Sequence, residues 1–396
     1  MYPIESRLDL PQASPVAIRC EPDYYGASHL IAESLGLAEP PISTSTWVHG
    51  CEIIPVPRPV FSPHFNTPNQ THLVGNLATQ RWWRDNGFSK AVAVGCPFLY
   101  TQPSGRERMP NSVLAMPNHG LPNCKLDLEH TKIWLNAVTE LRRTHACVVV
   151  CLHVDDIAEL SPIVESLGLS WIVGARLQTL SLPRMRAIFE SFDYMVTDVQ
   201  GSHLAYAAWC GCKVVMLSPL YERKWEHFEE HPHMKRNPQM RMNLVFHQPE
   251  NVRERLPFFF VDDLSQAQCH REWAAGILGM ESKRTPRILA RLLGWQADDP
   301  AFAGLAYGDV AGWLGAANPH RQVEWLGSQV ERWKGEHAKL KAEHKVRRDL
   351  LRKAEKDLKG QRPFLDSLSS RLARRLYSIE KRVRRFLVSV NSRPIG

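Results

Sequence analysis

The residues best suited to chemistry in this chain follow an apolar run at 192–196 that is typical of a buried strand. Residues 197–206 read Thr-Asp-Val-Gln-Gly-Ser-His-Leu-Ala-Tyr. A glycine and a hydroxyl before a small-residue helix leave unpaired N–H groups at the helix N-terminus, where a ligand phosphate can bind. Ser202 is either part of this phosphate cradle or only a helix N-cap, and Asp198 either contacts the ligand or caps the turn. The residues predicted to bind a nucleotide-linked ligand here are Asp198, Gln200, Gly201, Ser202 and His203.

Two further polar turns carry histidines at predicted strand ends. His119 stands between Asn118 and Gly120, where it either hydrogen-bonds a phosphate or carboxylate of a ligand or caps the next helix. His153 precedes two acidic residues at 155–156, which either bind a ribose hydroxyl or cap the following helix. These turns extend the predicted ligand site to the ends of two more strands.

The spacing of acidic residues and histidines does not predict a metal site. The adjacent residues Asp262 and Asp263 read as a turn at a strand end, and no Asp-X-Asp pair stands in a loop suited to a metal. His227, His231 and His233 would hold zinc only together with a second ligand cluster, which the sequence does not offer. We therefore expect no metal ion and no other cofactor.

Strands and helices alternate along the chain, which predicts parallel sheets in an α/β fold. The predicted strands are at 16–20, 46–48, 71–74, 91–94, 112–116, 147–152, 170–173, 194–197 and 213–217, with a late strand at 258–261. The predicted helices are at 28–35, 79–86, 126–143, 157–167, 182–189 and 202–209, with closing helices within 265–278 and 285–293. A polar stretch with prolines and a glycine at 100–111 predicts a domain boundary. We expect two Rossmann-like domains at 1–108 and 109–318, followed by a helical tail at 319–396.

The predicted tail contains two helical patterns. A heptad seam at 323–358 predicts a coiled coil, through which the chain would form a homodimer, or a helical hairpin. After a break, residues 365–390 predict a helix with one apolar and one basic face. That helix either binds an anionic membrane surface or packs on the protein's own core. Because the tail lacks recurring aromatic residues for base stacking, nucleic acid is not an expected partner.

Charge is distributed unevenly in this chain of net charge +8. Residues 321–396 hold 21 of the 49 Lys and Arg residues but only 9 of the 41 Asp and Glu residues, so an anionic partner would meet the tail first. No run approaches the ~20 apolar residues of a membrane span, and the N-terminus does not resemble an export signal. The nine cysteines have neither disulfide-framework nor zinc spacing. These features predict a cytoplasmic protein that is peripheral at the inner face of the membrane.

Several short motifs occur in a fixed order across residues 15–220. They are Tyr-Gly-Ala-Ser-His at 25–29, Trp-Val-His-Gly at 47–50, the glycine-proline segment at 94–100, Met-Pro-Asn-His-Gly at 116–120, and the turn at 197–202 with Tyr206 and 211–215. In these motifs the chain resembles the GT-B glycosyltransferases of bacterial capsule and lipopolysaccharide synthesis. His231-Pro232 is similar to the His-Pro pair of the branch that transfers Kdo or sialic acid from a CMP donor. In that branch the pair comes before the donor-side turn, whereas here it comes after the turn at 197–202.

The resemblance implies two Rossmann-like domains that face a cleft. The second domain would hold a nucleotide-sugar donor, such as CMP-Kdo or a related CMP-sugar, and a lipid-linked or polysaccharide acceptor would approach from the first. Glycosyl transfer needs a base or carboxylate near the anomeric carbon and N–H dipoles or cations on the leaving phosphate. His49 or Glu52 is the expected base, and His119 the expected catalytic group on the donor side. Transfer of an alditol phosphate from a CDP donor and a non-catalytic transferase-like scaffold are the alternatives.

Overall fold

The computed structural model of the chain describes residues 8–12, 18–53, 70–120, 126–174, 180–229 and 241–295. The chain divides into two compact units, residues 1–305 and 306–396, and all described residues belong to the first. The domain boundary predicted at 108/109 stays a prediction. The boundary at 318/319, the coiled coil and the basic amphipathic helix lie outside the described residues.

A five-stranded parallel sheet forms the larger half of the first unit, and its strand order is β6-β5-β4-β7-β8. Short runs of Val, Leu and Ile without polar alternation are typical of strands buried on both faces, which is why these runs form a parallel sheet. The strands are β4 (Met109–Met116), β5 (Cys147–Leu152), β6 (Ser170–Val173), β7 (Phe192–Thr197) and β8 (Lys213–Met216). The sequence predicted all five, with β4 and β7 two to three residues shorter at their N-terminal ends.

Helices cover both faces of this sheet, because each connection between parallel strands crosses over through a helix. They are α3 (Leu128–Glu140), α4 (Ile157–Ser166), α5 (Ser181–Ser191) and α6 (Ser202–Trp209). Successive strand residues point to opposite faces. Val113 and Val150 therefore pack with Trp134 of α3, whereas Leu114 packs in a second apolar cluster with Phe189 of α5.

A smaller three-stranded parallel sheet precedes the larger one in the sequence, and its strands lie in the order β1-β2-β3. The strands are β1 (Thr46–Trp47), β2 (His72–Val74) and β3 (Ala91–Ala93), with helices α1 (Ala27–Ser34) and α2 (Leu77–Asp85). The apolar cluster that covers one face of the large sheet continues without a break into this half, where it includes Trp47, Leu73 and Phe98. The two sheets are therefore joined by a shared core.

The C-terminal part of the described chain returns to the small sheet. Its helices are α7 (Arg241–Phe246), α8 (Pro249–Arg255), α9 (Arg271–Leu278) and α10 (Pro286–Leu292). The carbonyl of Leu278 accepts the N–H of Cys96 (2.8 Å), and that of Leu293 accepts the N–H of Thr44 (2.9 Å). None of the described helices combines the length and the apolar composition that crossing a membrane requires.

The predicted late strand is wrong, and the predicted strand at 16–20 is wrong over residues 18–20, the part that the structure describes. In the predicted strand at 16–20, the N–H groups of Arg19 and Cys20 donate to the carboxylate of Asp23 (2.9 and 3.2 Å), so a local cap uses the donors that a ladder would need. The predicted late strand at 258–261 instead begins in a 3-10 turn at Pro257–Phe259. Phe259 is fully buried with its ring on Trp273, so this run supplies side chains to the core and no hydrogen bonds to the sheet.

Candidate functional site

The polar turns predicted from the sequence follow strands of the large sheet and lie at its carboxyl edge. From β4 the chain proceeds through β5 to β6 on one side, and β7 and β8 then lie on the other side. The turns after β4 and β7 diverge at this reversal of strand order, which is where open α/β sheets bind ligands. Residues 117–120 and 198–202 therefore lie at the switch point of the sheet.

Asp198 connects the two diverging turns. Its carboxylate is buried, and it accepts the N–H of Asn118 (2.7 Å) and the Nε2–H of His130 (2.9 Å). Burial raises the pKa of Asp198 above its ordinary value, against the opposite effect of His130 and the N–H of Asn118. Asp198 thus binds a main-chain N–H of the neighbouring turn, and its predicted contact with a ligand stays a prediction. The sequence analysis missed His130, which lies in the first turn of α3 behind the N-cap Asp127.

His119, His153 and Asp156 converge in the turns after β4 and β5. One candidate ligand atom from each lies within 4.8 Å of the others. The two imidazole rings are stacked, with centroids 4.6 Å apart and planes at 17°. His119 is exposed, His153 is half-buried and Asp156 is buried. The sequence predicted His119 and His153 as separate site residues, but their spacing did not show that they form one cluster with Asp156.

Gly120 holds two members of this cluster in place. Its carbonyl accepts the Nδ1–H of His119 (2.7 Å), and its N–H donates to Asp156 (3.0 Å). A Cβ atom at residue 120 would lie 2.7 Å from Oδ1 of Asp156, so the close approach requires glycine. Burial raises the pKa of Asp156, and the positive charge of His119 acts in the opposite direction.

Ser202 begins α6, but its hydroxyl faces the small sheet. The Oγ atom accepts the N–H of Cys51 (2.9 Å) and approaches the Cys51 carbonyl (3.4 Å). One turn later, the hydroxyl of Tyr206 donates to the carbonyl of His49 (3.1 Å). The N-terminal end of α6 is therefore fastened to residues 49–51, and main-chain N–H groups are the better candidates for the predicted phosphate cradle.

The remaining predicted residues of this turn also have partners within the protein. The side-chain amide of Gln200 donates to Nδ1 of His247, and the main-chain carbonyl of Gln200 accepts a hydrogen bond from Arg223 (3.2 Å). His203 hydrogen-bonds Thr197 through Nε2 (3.1 Å). A Cβ atom at Gly201 would lie 2.9 Å from Nδ1 of His203, so this turn also requires glycine.

Two histidines beside this turn are neutral at neutral pH. Burial, together with the charges of His119 and Arg223, lowers the pKa of His203 to about 3. Burial and the charge of Arg223 lower the pKa of His247 to about 3 as well. Arg223 is therefore the positive group near Gln200 at pH 7, and His203 takes part as a hydrogen-bonding group.

His49 pairs with a residue that the sequence analysis did not select. Its Nδ1–H lies 3.3 Å from the buried carboxylate of Glu21, whose second oxygen accepts the N–H of Trp47. Burial raises the pKa of Glu21, and His49 acts against that shift. The ring of His49 is 37% exposed and stacks on Tyr24, with centroids 5.3 Å apart. Glu52 is half-buried in the same segment.

Of the three histidines that the sequence analysis weighed for zinc, the structure describes His227. His227 forms a hydrogen bond with the Tyr221 hydroxyl (2.7 Å). His231 and His233 lie outside the described residues. Asp263 caps a turn through the N–H of Ser265 (2.7 Å), but the strand that the sequence predicted before this turn is absent from the described residues.

No protein-family model matches this chain, and no curated protein does. Among solved structures, the pneumococcal O-GlcNAc transferase GtfA in complex with UDP and GlcNAc is 14% identical, with a TM-score of 0.29 over 57% of this chain and 44% of that one. A mutant of S. aureus TarM in complex with Fondaparinux, alpha-GlcNAc-glycerol and UDP is 11% identical, with a TM-score of 0.29 over 57% and 43%. A ugt transferase from Siraitia grosvenorii in complex with UDP is 12% identical, with a TM-score of 0.24 over 57% and 51%.

The alignments thus span about half the length of each of these proteins or less. All three were solved with UDP, but similarity at this level does not establish a shared fold or activity. The functional argument therefore rests on the site itself.

Proposed function

We propose that this protein is a glycosyltransferase that takes a sugar from a nucleotide-linked donor. The observation that carries the proposal is the switch point of the large sheet. His119 follows β4 at that point and lies beside His153 and Asp156 after the neighbouring strand β5. Helix α6, which follows β7, is fastened to the segment that contains His49. Donor-side and acceptor-side groups of the kind that glycosyl transfer requires thus belong to one connected region.

The donor phosphates would bind between the turns after β4 and β7. Main-chain N–H groups at the N-terminus of α6 would stabilise negative charge on the leaving phosphate, because the helix dipole and unpaired donors favour an anion there. His119 is exposed beside this position and would donate a hydrogen bond or positive charge. His153 and Gln200 would border the nucleoside.

His49 would act as the base on the acceptor side. Its Nδ1–H faces the carboxylate of Glu21, which leaves Nε2 as the nitrogen that accepts a proton from the acceptor hydroxyl. The buried carboxylate would orient the ring and stabilise the imidazolium formed during transfer. This pairing favours His49 over Glu52 as the base.

The acceptor that we propose is a lipid-linked or polysaccharide glycan, and the proposed donor includes CMP-Kdo or a related CMP-sugar. The basic tail supports a position at the inner face of a membrane with anionic lipids, and its heptad seam supports a homodimer. An alditol-phosphate transferase with a CDP donor would use the same phosphate position. A transferase-like scaffold would retain the fold without binding a nucleotide.

A thermal-shift panel tests the proposal. The full-length protein is heated with CMP, CDP, UMP, UDP or GDP at millimolar concentration, since a ligand of the folded state raises Tm with its occupancy. The panel is repeated with His119→Ala and with the control His145→Ala. His145 precedes β5, whereas His153 follows it, so the two residues lie at opposite ends of that strand. A Tm increase for one nucleotide that is reduced in His119→Ala and kept in His145→Ala supports the proposal.

Product analysis then separates the two kinds of transfer. Candidate donors are incubated with the enzyme, and the released nucleotide and the modified acceptor are identified by mass spectrometry. Release of UDP, GDP or CMP with a sugar on the acceptor supports glycosyl transfer, whereas CMP release with an alditol phosphate on the acceptor supports the alternative. No Tm increase with any nucleotide contradicts both and favours the scaffold.

A further inference from the structure

We infer that His119, His153 and Asp156 form a binding site for a divalent first-row metal ion of the zinc class. Two imidazoles and one carboxylate are a donor set that suits Zn²⁺ and its neighbours, and three protein ligands leave a coordination position for a further group. The candidate ligand atoms lie within 4.8 Å of one another. Ligand atoms around tetrahedral zinc are about 3.3 Å apart, given metal–ligand bonds of about 2.0 Å. Binding of an ion would draw these atoms together by up to about 1.5 Å.

The hydrogen bond of His119 already selects the tautomer that a metal requires. Its Nδ1 atom lies 2.7 Å from the carbonyl of Gly120. A carbonyl cannot donate a hydrogen bond, so Nδ1 carries the proton and Nε2 keeps its lone pair. Histidines that ligate metals characteristically donate their other N–H to a carbonyl or carboxylate in this way.

The same glycine orients the carboxylate. The N–H of Gly120 donates to Oδ2 of Asp156 (3.0 Å), so the two peptide groups that flank this residue hold two of the three proposed ligands. A Cβ atom on residue 120 would collide with Oδ1 of Asp156. The close packing of main chain and carboxylate fixes the side chain that would supply the negative charge of the site.

The position of the cluster in the sheet makes it rigid. His119 follows β4, and His153 and Asp156 follow β5, which are hydrogen-bonded parallel neighbours. The imidazole rings stack with their centroids 4.6 Å apart. Asp156 closes the buried side of the cluster, and His119 forms the exposed side. An ion can enter from that exposed side.

This inference does not depend on the proposed function. It is based on the three ligands and on the two hydrogen bonds that Gly120 makes with His119 and Asp156. A metal bound there would be detected without any substrate. Where the proposed function holds, a bound ion would take the place of the hydrogen bond or positive charge proposed for His119 beside the donor phosphate.

Cobalt spectroscopy and zinc competition test the inference on the full chain after removal of metals with a chelator. Titration with Co²⁺ is expected to produce the visible absorption of a tetrahedral ion at one ion per chain, and Zn²⁺ is expected to displace it. His153→Ala and Asp156→Asn are expected to weaken the Zn²⁺ affinity by about a hundredfold or more, because loss of even a hydrogen-bond partner of a ligand costs about 10- to 100-fold. His145→Ala, which removes a histidine before the same strand, is expected to leave the affinity unchanged.

His119→Ala keeps the test decisive if a buried variant does not fold, because the side chain is exposed. Its circular dichroism spectrum is expected to match that of the wild type while the cobalt band is lost. Absence of a tetrahedral cobalt band in the wild type overturns the inference. So does a Zn²⁺ affinity that is the same in the wild type and in His119→Ala, because the bound ions would then belong to other side chains.

Discussion

The two edges of the five-stranded sheet are built from similar residues but use them differently. At the amino edge, the guanidinium of Arg108 donates to the carbonyls of Phe192 and Cys210, and the carboxylate of Asp193 accepts the N–H of Asn111. Each of these side chains therefore satisfies main-chain groups. At the carboxyl edge, His119, His153 and Asp156 face one another instead. Side chains at the first edge stabilise the ends of strands, whereas those at the second form a cluster that can accept a ligand.

The difference follows from the direction of the strands. All five run parallel, so the turns that enter the sheet lie at one edge and the turns that precede the helices lie at the other. Helix N-termini and diverging turns occur only at the carboxyl edge, where they leave N–H groups and space for a ligand. Asp198 also has a structural role at that edge, as does the Asp156 carboxylate that accepts the N–H of Gly120.

The largest effect is expected from Asp198→Ala. This change leaves the N–H of Asn118 and the ring of His130 without their buried acceptor. Each group left unsatisfied in this way costs about 1–3 kcal/mol, so a total loss of about 3 kcal/mol is expected. Urea denaturation is expected to show this decrease in the free energy of unfolding. Asp193→Ala is the matched control, because its carboxylate also accepts a main-chain N–H but is half-exposed. The free energy of unfolding is expected to fall by about 1 kcal/mol in this variant. Equal losses in the two variants would contradict the assignment of Asp198 to a buried network.

Arg108→Ala is expected to have the next largest effect. The variant leaves two main-chain carbonyls without their donors and is expected to reduce the free energy of unfolding by about 2 kcal/mol. Arg142→Ala, at an exposed arginine, is expected to change it by less than about 0.5 kcal/mol. Both variants are expected to bind nucleotide and Zn²⁺ as the wild type does. Weaker ligand binding in Arg108→Ala would show that the amino edge is not purely structural.

His203 is expected to make stability depend on pH. Its pKa is about 3 in the folded chain, against about 6.5 for an ordinary histidine in the unfolded chain. Between these values only the unfolded state binds the proton. Stability is therefore complete above about pH 6.5 and falls by about 1 kcal/mol per pH unit as the pH decreases toward 3.

Replacement by glutamine isolates this contribution. In His203→Gln the amide nitrogen can keep the hydrogen bond to Thr197. Urea denaturation at several pH values between 7 and 5 is expected to give a smaller slope for the variant, while His247 contributes equally to both proteins. Parallel stability curves for the two proteins over this range would show that His203 is protonated in the folded state.

Much of the fold could be predicted because apolar runs and the residues after them determine strands and turns locally. All five strands of the large sheet and the turns after β4, β5 and β7 follow from that pattern. The run at 258–261 misled the prediction, because an apolar run can enter a core without forming ladder hydrogen bonds. The carboxylate that binds the N–H groups of Arg19 and Cys20 is equally a local feature that periodicity does not reveal.

The site could be predicted only in part, because partners that meet through the fold have no fixed spacing. His119 and Asp156 are 37 positions apart, and only the pairing of β4 with β5 brings them together. Glu21 reaches His49 across the N-terminal half in the same way. The role of the Ser202 hydroxyl also depends on a distant segment, since its partner is Cys51. Strand ends indicated where to look, but the pairing of side chains required the structure.

The smallest effect on stability is expected from His119→Ala, and it separates the two edges most clearly. The side chain is exposed, so the free energy of unfolding without ligand is expected to change by less than about 0.5 kcal/mol. The increase in Tm caused by Zn²⁺ or by a bound nucleotide is nevertheless expected to decrease, because such stabilisation depends on affinity for the folded state. Arg108→Ala is expected to show the opposite behaviour, with lower basal stability and unchanged ligand-induced increases. If His119→Ala instead lowered basal stability and left both increases intact, the carboxyl edge would be a structural cap like the amino edge.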